Sequence, residues 1–213
     1  MRLIYNVGVA ISLKIKYARG MLEYNEIRER KVIIHEDEPY EVVSSHVFRK
    51  QQRKPVNATK LKNLLTGKVL EISFHVSDKV DEADLEKREV KYLYKAKGEF
   101  WFCDVKDPSN RFVVPAEKIG DPQYKFLKEN MIATMKIFEN ENEDEIIVSV
   151  EIPIKMEFVI KEAAPAVKGN TATNATKSVT LENGTEIFVP MFLNEGERIR
   201  INTENGEYVE RAN

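Results

Sequence analysis

Tyr40-Glu41-Val42-Val43-Ser44-Ser45-His46-Val47-Phe48 and Val56-Asn57-Ala58-Thr59-Lys60-Leu61-Lys62-Asn63-Leu64-Leu65 flank the basic stretch Arg49-Lys50-Gln51-Gln52-Arg53-Lys54-Pro55. Both flanks alternate in the manner of strands, so the heptad reads as the tip of a hairpin. From Ser44 to Lys68 there are seven basic residues (Arg49, Lys50, Arg53, Lys54, Lys60, Lys62 and Lys68) and no acidic one. Lysines often blunt an exposed strand edge. That use does not account for four cations crowded at one turn, where mutual repulsion is unfavourable unless a polyanion relieves it. RNA phosphate is the expected polyanion.

Outward from the hairpin, short strands recur. Lys31-Val32-Ile33-Ile34-His35 precedes a turn over Glu36-Asp37-Glu38-Pro39, and Val69-Leu70-Glu71-Ile72-Ser73-Phe74-His75-Val76 follows Thr66-Gly67. Several short strands so closely spaced predict a small β-barrel. The mainly acidic run from Asp78 to Glu89 interrupts the pattern and is expected to mark a boundary. Beyond it, Val90 to Lys95 and Glu99 to Val105 form a hairpin signal around Ala96-Lys97-Gly98, Phe112 to Pro115 adds a strand, and Met131 to Phe138 and Ile146 to Val150 flank an acidic turn. Pro122 to Glu129 has helical spacing in a run too short to decide. A third set of strands, Met156 to Ile160, Ser178 to Leu181, Glu186 to Pro190, Arg198 to Asn202 and Tyr208-Val209, is punctuated by turns at Asn183-Gly184, Asn194-Glu195-Gly196 and Asn205-Gly206. The polar stretch Ala163 to Lys177 contributes little core. The fold class is therefore all-β, with three consecutive small barrels.

At 213 residues with 42% apolar and 32% charged side chains, the chain has the composition of a soluble globular protein. Its net charge of −2 excludes a basic field over the whole surface, so polyanion contacts must be local. Cys103 is alone, which excludes a disulfide framework and favours a reducing cytoplasm. The apolar run Leu3 to Leu13 behind Arg2 is broken by Asn6, lacks a small-residue cleavage site and is too short to span a bilayer. Met21 as the initiator, or an extra strand or helix, are the simpler readings of residues 1–20.

Residues with catalytic chemistry are scattered. His35, His46 and His75 stand far apart with no ligand-spaced partner, so no metal site is expected, and no phosphate-cradling glycine loop or nucleophile signature is present. The chain reads as a non-enzyme without cofactor. Phe100-Trp101-Phe102 suggests a base-stacking platform, but alternation sends Phe100 and Phe102 to one side, and no basic residue interleaves with them in sequence. Phe100 and Phe102 read as core, with Trp101 on the other side.

Three barrels, the first with a basic hairpin, resemble the bacterial elongation factor P family, relatives of initiation factor 5A. The matching residues are Glu38-Pro39-Tyr40 and Thr59 to Gly67; Tyr92-Leu93-Tyr94, Gly98 to Trp101 and Ile119-Gly120-Asp121; then Pro165, Lys168 to Thr171, Lys177, Thr180-Leu181, Gly184, Val189-Pro190, Gly196-Glu197, Gly206 to Val209 and Arg211. The resemblance begins at Met21. It implies an SH3-like (KOW-like) barrel over 21–84, then two OB barrels over 85–152 and 153–213, with 1–20 an N-terminal extension. It further implies a cytoplasmic monomer that binds the ribosome between the P and E sites, touching rRNA and the P-site tRNA, with no DNA, membrane or cofactor. Such a factor promotes peptide-bond formation at polyproline stalls. A general single-stranded RNA-binding or chaperone-like OB protein is the alternative.

The tip departs from the family pattern. The family's tip reads Lys-Pro-Gly-Lys-Gly, and its second lysine, an arginine in some branches, receives a covalent extension. Counting from Tyr40 or back from Leu61 places Gln52 there, a side chain without the nucleophile that the extension needs. Three readings are open: Arg49, Lys50, Gln51, Gln52, Arg53 and Lys54 work unmodified; Arg53 or Lys54 is modified instead; or activity at prolines is weakened. The resemblance also implies ribosome contacts in the last barrel at Gly169-Asn170-Thr171, Tyr208 and Arg211.

Overall fold

The computed structural model describes residues 18–49, 53–140, 142–163 and 176–212, which form three sheets and almost no helix. The all-β class and the three-sheet organisation expected from the sequence are present. The chain packs as two compact units, one of residues up to Lys87 with Lys136–Val148, the other of Arg88–Met135 with Ser149–Asn213.

The first sheet contains β1 (Ala18–Glu23), β2 (Val32–His35), β3 (Glu38–Phe48), β4 (Val56–Asn63), β5 (Val69–His75) and β6 (Lys79–Ala83), in the order β1-β6-β2-β3-β4-β5. The turn between β2 and β3 bends at Glu36 and Asp37, both at positive φ, as a two-residue hairpin with right-handed twist requires. Alternation buries Leu22, Ile33, Tyr40, Val42, Leu61 and Phe74, with Ile27 from the loop after β1, in one core. A second apolar cluster joins Ala83 to Phe138 and Val148, with Val32, Ile34, Leu64, Leu65, Leu85 and Ile146 around it.

The acidic run expected to interrupt the pattern instead supplies β6 and the start of the next strand. Its charges are tolerated because β6 is half-buried and Lys31 meets Glu82 at 3.1 Å. β6 lies between β1 and β2, with Met21 opposite Asp81 and Ile33 opposite Glu82. Of residues 1–20, β1 includes the last three, and 1–17 lie outside the described residues.

β4 carries buried polar hooks among its apolar residues. The Asn57 amide donates to the carbonyls of Tyr24 (2.6 Å) and Ile27 (2.9 Å), tying the loop after β1 to the hairpin. Thr59 donates to the Ile72 carbonyl at 2.9 Å. Asn63 donates to Glu38, and its Oδ1 accepts from the backbone N–H of Leu65 and of Thr66, each at 2.8 Å. Those bonds shape the turn that closes at Gly67, whose φ of +74° favours glycine.

The second sheet runs β11-β10-β7-β8-β9, from β7 (Glu86–Ala96), β8 (Glu99–Asp104), β9 (Arg111–Val114), β10 (Ile132–Glu139) and β11 (Glu145–Glu151). The expected hairpin turns at Lys97 and Gly98, both at positive φ. A one-turn helix, α1 (Ala116–Ile119), and a 3-10 turn (Gln123–Phe126) connect β9 to β10, which settles the ambiguous run after Pro122. The third sheet, ordered β14-β13-β12-β15-β16, comprises β12 (Lys155–Ala163), β13 (Thr176–Leu181), β14 (Glu186–Pro190), β15 (Arg198–Asn202) and β16 (Glu207–Arg211). Its core is Phe158, Ile160, Val179, Leu181, Val189, Leu193, Ile199 and Ile201.

Replacing Asn57 by alanine strands two backbone carbonyls beneath the hairpin. The expected cost is about 1–3 kcal/mol, seen as a lower urea midpoint with an unchanged slope; an unchanged midpoint would show that Asn57 does not hold this junction.

Candidate nucleic-acid interface

The hairpin is built from the longest strand of the first sheet and a central one. β3 pairs with β4 from Tyr40 opposite Asn63 to Phe48 opposite Val56, with a bulge between Val42 and Ser44 that adds twist. β4 is backed on its other edge by β5, from Lys62 opposite Val69 to Val56 opposite His75. Three hydrogen-bonded strands therefore carry the tip. On the outer arm the His46 and Phe48 rings stack, 6.1 Å apart and 15° from parallel.

At the tip, Arg49, Arg53 and Lys54 are exposed. The Arg49 Nε donates to the Arg53 carbonyl at 3.0 Å. Lys50, Gln51 and Gln52 lie outside the described residues, as do Gly169, Asn170 and Thr171. The lower basic residues are less isolated than their sequence neighbourhood suggests: Lys60 stands opposite Ser44 and Glu71, and Lys62 opposite Glu41. Positive charge without a facing acid is thus concentrated toward the tip.

In the third sheet, Tyr208 is half-buried beside a groove lined also by Phe188, Pro190, Lys125 and Gly206. Phe188 is 72% exposed there. Arg211 is engaged within its own sheet. Its Nε lies 2.9 Å from Glu197 Oε2, its Nη2 donates to the Phe192 carbonyl at 3.3 Å, and its guanidinium sits 5.0 Å from the Phe192 ring centre. Phosphate at Arg211 would compete with Glu197.

Lys128 is a positioning residue that its sequence context does not announce. Its Nζ donates to the Glu157 carbonyl and to Glu182 Oε1, each at 2.5 Å, and lies 4.3 Å from the Phe158 ring centre. The nearby Lys125 carbonyl accepts from Thr185 Oγ1 (2.5 Å) and Asn183 Nδ2 (2.9 Å). The segment after the 3-10 turn is thereby fastened to the third sheet. Glu157 bonds Arg200 at 2.8 Å, and Arg200 reaches Glu210 at 2.5 Å. The Arg200 hydrogen bond, aided by the charges of Arg200, Arg198 and Lys128, holds the Glu157 carboxyl below its ordinary value of 4.5.

Three family models match in succession: the Elongation factor P (EF-P) KOW-like domain over residues 23–80, the Elongation factor P (EF-P) OB domain over 85–142, and Elongation factor P, C-terminal, over 156–211. Elongation factor P of Clostridium botulinum is 37% identical over 192 residues, covering 90% of this chain and 100% of that one. The chain belongs to the elongation factor P family. Elongation factor P of Thermodesulfovibrio yellowstonii is 33% identical, over 90% of this chain and 99% of the relative. Among solved structures, eukaryotic translation initiation factor 5A from Methanococcus jannaschii aligns over 62% of this chain and 93% of its own, at 13% identity and a TM-score of 0.47. Membership of the elongation factor P family makes the chain a translation factor, and among its described residues no helix is long and apolar enough to cross a membrane.

Lys128→Met removes the ammonium and keeps most of the stem; for partly exposed bonds the expected loss is about 1 kcal/mol, read from urea unfolding. Glu157 has its pKa lowered by folding, so its contribution is present above the unfolded value and is lost as pH falls through the folded one. Glu157→Gln should therefore be less stable than the parent at neutral pH and show a shallower decline in thermal midpoint on acidification, the two curves converging at low pH. Parallel curves would remove Glu157 from the acid response.

Proposed function

We propose that this chain acts on the ribosome between the P and E sites, where its basic hairpin reaches toward the peptidyl-transferase centre and steadies the CCA end of the P-site tRNA. The observation that carries the reading is the three-strand arm, tipped by exposed Arg49, Arg53 and Lys54 with no ion pair among the described residues. Proline's ring locks φ, and its nitrogen is secondary, so consecutive prolines react slowly and hold the chain at the centre. A factor that holds the reacting end in place contributes several kcal/mol by orientation without lending a catalytic group. Ribosomal RNA does the chemistry.

Three domains divide the work in this proposal. Residues 21–84 bring the tip, 85–152 form the middle barrel, and 153–213 contact the small subunit through Gly169-Asn170-Thr171, Tyr208 and Arg211. The tip acts unmodified: Gln51, Gln52, Arg53 and Lys54 supply several hydrogen-bond donors in place of one extended side chain, with arginine's planar fork suited to the RNA backbone. The factor works as a cytoplasmic monomer.

Intact-mass measurement of the natural protein and a polyproline translation assay test this reading. The unextended mass is expected, with stall relief lost or sharply reduced when Gln52 and Arg53 are both changed to alanine. Added mass on Arg53 or Lys54, or full activity in the double variant, would overturn the unmodified tip. Sedimentation with ribosomes should persist at moderate salt with competitor RNA present, whereas non-specific RNA binding collapses as salt rises.

A further inference from the structure

The outer face of the second sheet gathers groups that are scattered in sequence. The Tyr94 and Trp101 rings stack 6.2 Å apart and 23° from parallel, and Tyr94 is 41% exposed. A bulge between Tyr92 and Tyr94 brings Tyr94 opposite Trp101, and Trp101 faces Val113 on β9. One step along the same face, Cys103, itself buried, lies between Lys91 on β7 and Arg111 on β9. The two rows are about 7 Å apart along the strands, within reach of a lysine or arginine side chain. Basic residues therefore do interleave with the aromatics, across strands rather than along one.

Neither Lys91 nor Arg111 forms an ion pair among the described residues, and Arg111 is exposed. Glu89 and Glu99, on the same face by alternation, bound the positive area at its two ends. The strand order β11-β10-β7-β8-β9 makes β8 and β9 the second and third strands of an OB barrel, and that face of OB barrels takes oligonucleotides and oligosaccharides. Two unpaired cations beside an aromatic pair whose Tyr94 is exposed and whose Trp101 is half-buried select the phosphate-bearing ligand over the neutral sugar.

We propose that the face formed by Tyr94, Trp101, Lys91 and Arg111 is an RNA-binding subsite that stacks one unpaired base on the Tyr94–Trp101 pair and holds its flanking phosphate between Lys91 and Arg111. The acids at either end limit the subsite to about one nucleotide. It adds to the tip and C-terminal contacts proposed above and does not depend on them.

Trp101 is the only tryptophan of the chain, so its fluorescence reports on this face alone. Titrating the full chain with a short single-stranded oligoadenylate should quench Trp101 saturably. Tyr94→Ala should weaken binding about tenfold and Tyr94→Phe leave it near the parent value. The double variant Lys91→Gln with Arg111→Gln keeps both rings and should lower the slope of log affinity against log salt by about 0.7, the share of one phosphate, while Lys155→Gln, on β12 of the third sheet, leaves it unchanged. Matched thermal midpoints exclude misfolding of the alanine variant, and the charge variant tests the subsite independently. RNA binding seen by anisotropy without quenching, or quenching unaffected by either variant, would overturn the proposal. Quenching by an oligoproline peptide but not by oligoadenylate would reassign the face to protein. A ribosome-sedimentation failure with quenching intact would overturn only the ribosomal reading.

Discussion

The hairpin projects because β4 is hydrogen-bonded on both edges along almost its entire length. A two-stranded ribbon is marginal in water, and the apolar core follows the arm from Tyr40, Val42 and Leu61 at its base to Phe74, which stands opposite Asn57. Beyond the bulge near Val43, the arm depends on the paired ladders from β3 and β5, which run out to Phe48, Val56 and His75. From within, Asn57 and Thr59 bond loop and strand carbonyls, and Asn63 at the base bonds the Glu38 carboxylate. A cluster of cations at the end of so stiff an arm is held apart from the acids of its own chain and left available to a polyanion.

The second unit is secured differently. Lys128 and the Lys125 carbonyl fix the segment after the 3-10 turn to β12 and to the turn after β13, and the Phe126 ring meets Phe158 edge-on at 5.8 Å. Backbone carbonyls as well as side chains accept these bonds, so the attachment fixes geometry as well as charge. Glu157 links it to Arg200 and Glu210 across the sheet. The same neighbourhood positions Tyr208 and its groove.

Strand alternation and turn chemistry are local properties, and most elements were legible from them: the β2–β3 turn, the hairpin arms, Lys97-Gly98, and the strands of the third sheet. The acidic run was expected to interrupt the strand pattern, and it carries β6 instead. Within a sheet, half-buried acids at β6 need only a partner such as Lys31, which lies far away in sequence. The connection after β9 stayed open in sequence, since a single helical turn has too few residues for periodicity to declare itself.

By itself the sequence determined the strand alternation, the turns, the family and the departure at Gln52, because these reside in neighbouring residues or in motif order. Only the tertiary structure decided which charges are free. Arg211 looks available in sequence but is held by Glu197 and Phe192, whereas Lys91 and Arg111 look unrelated to Trp101 but share its face. The physical reason is cross-strand register: backbone pairing between distant segments sets which side chains meet, and no local pattern encodes it.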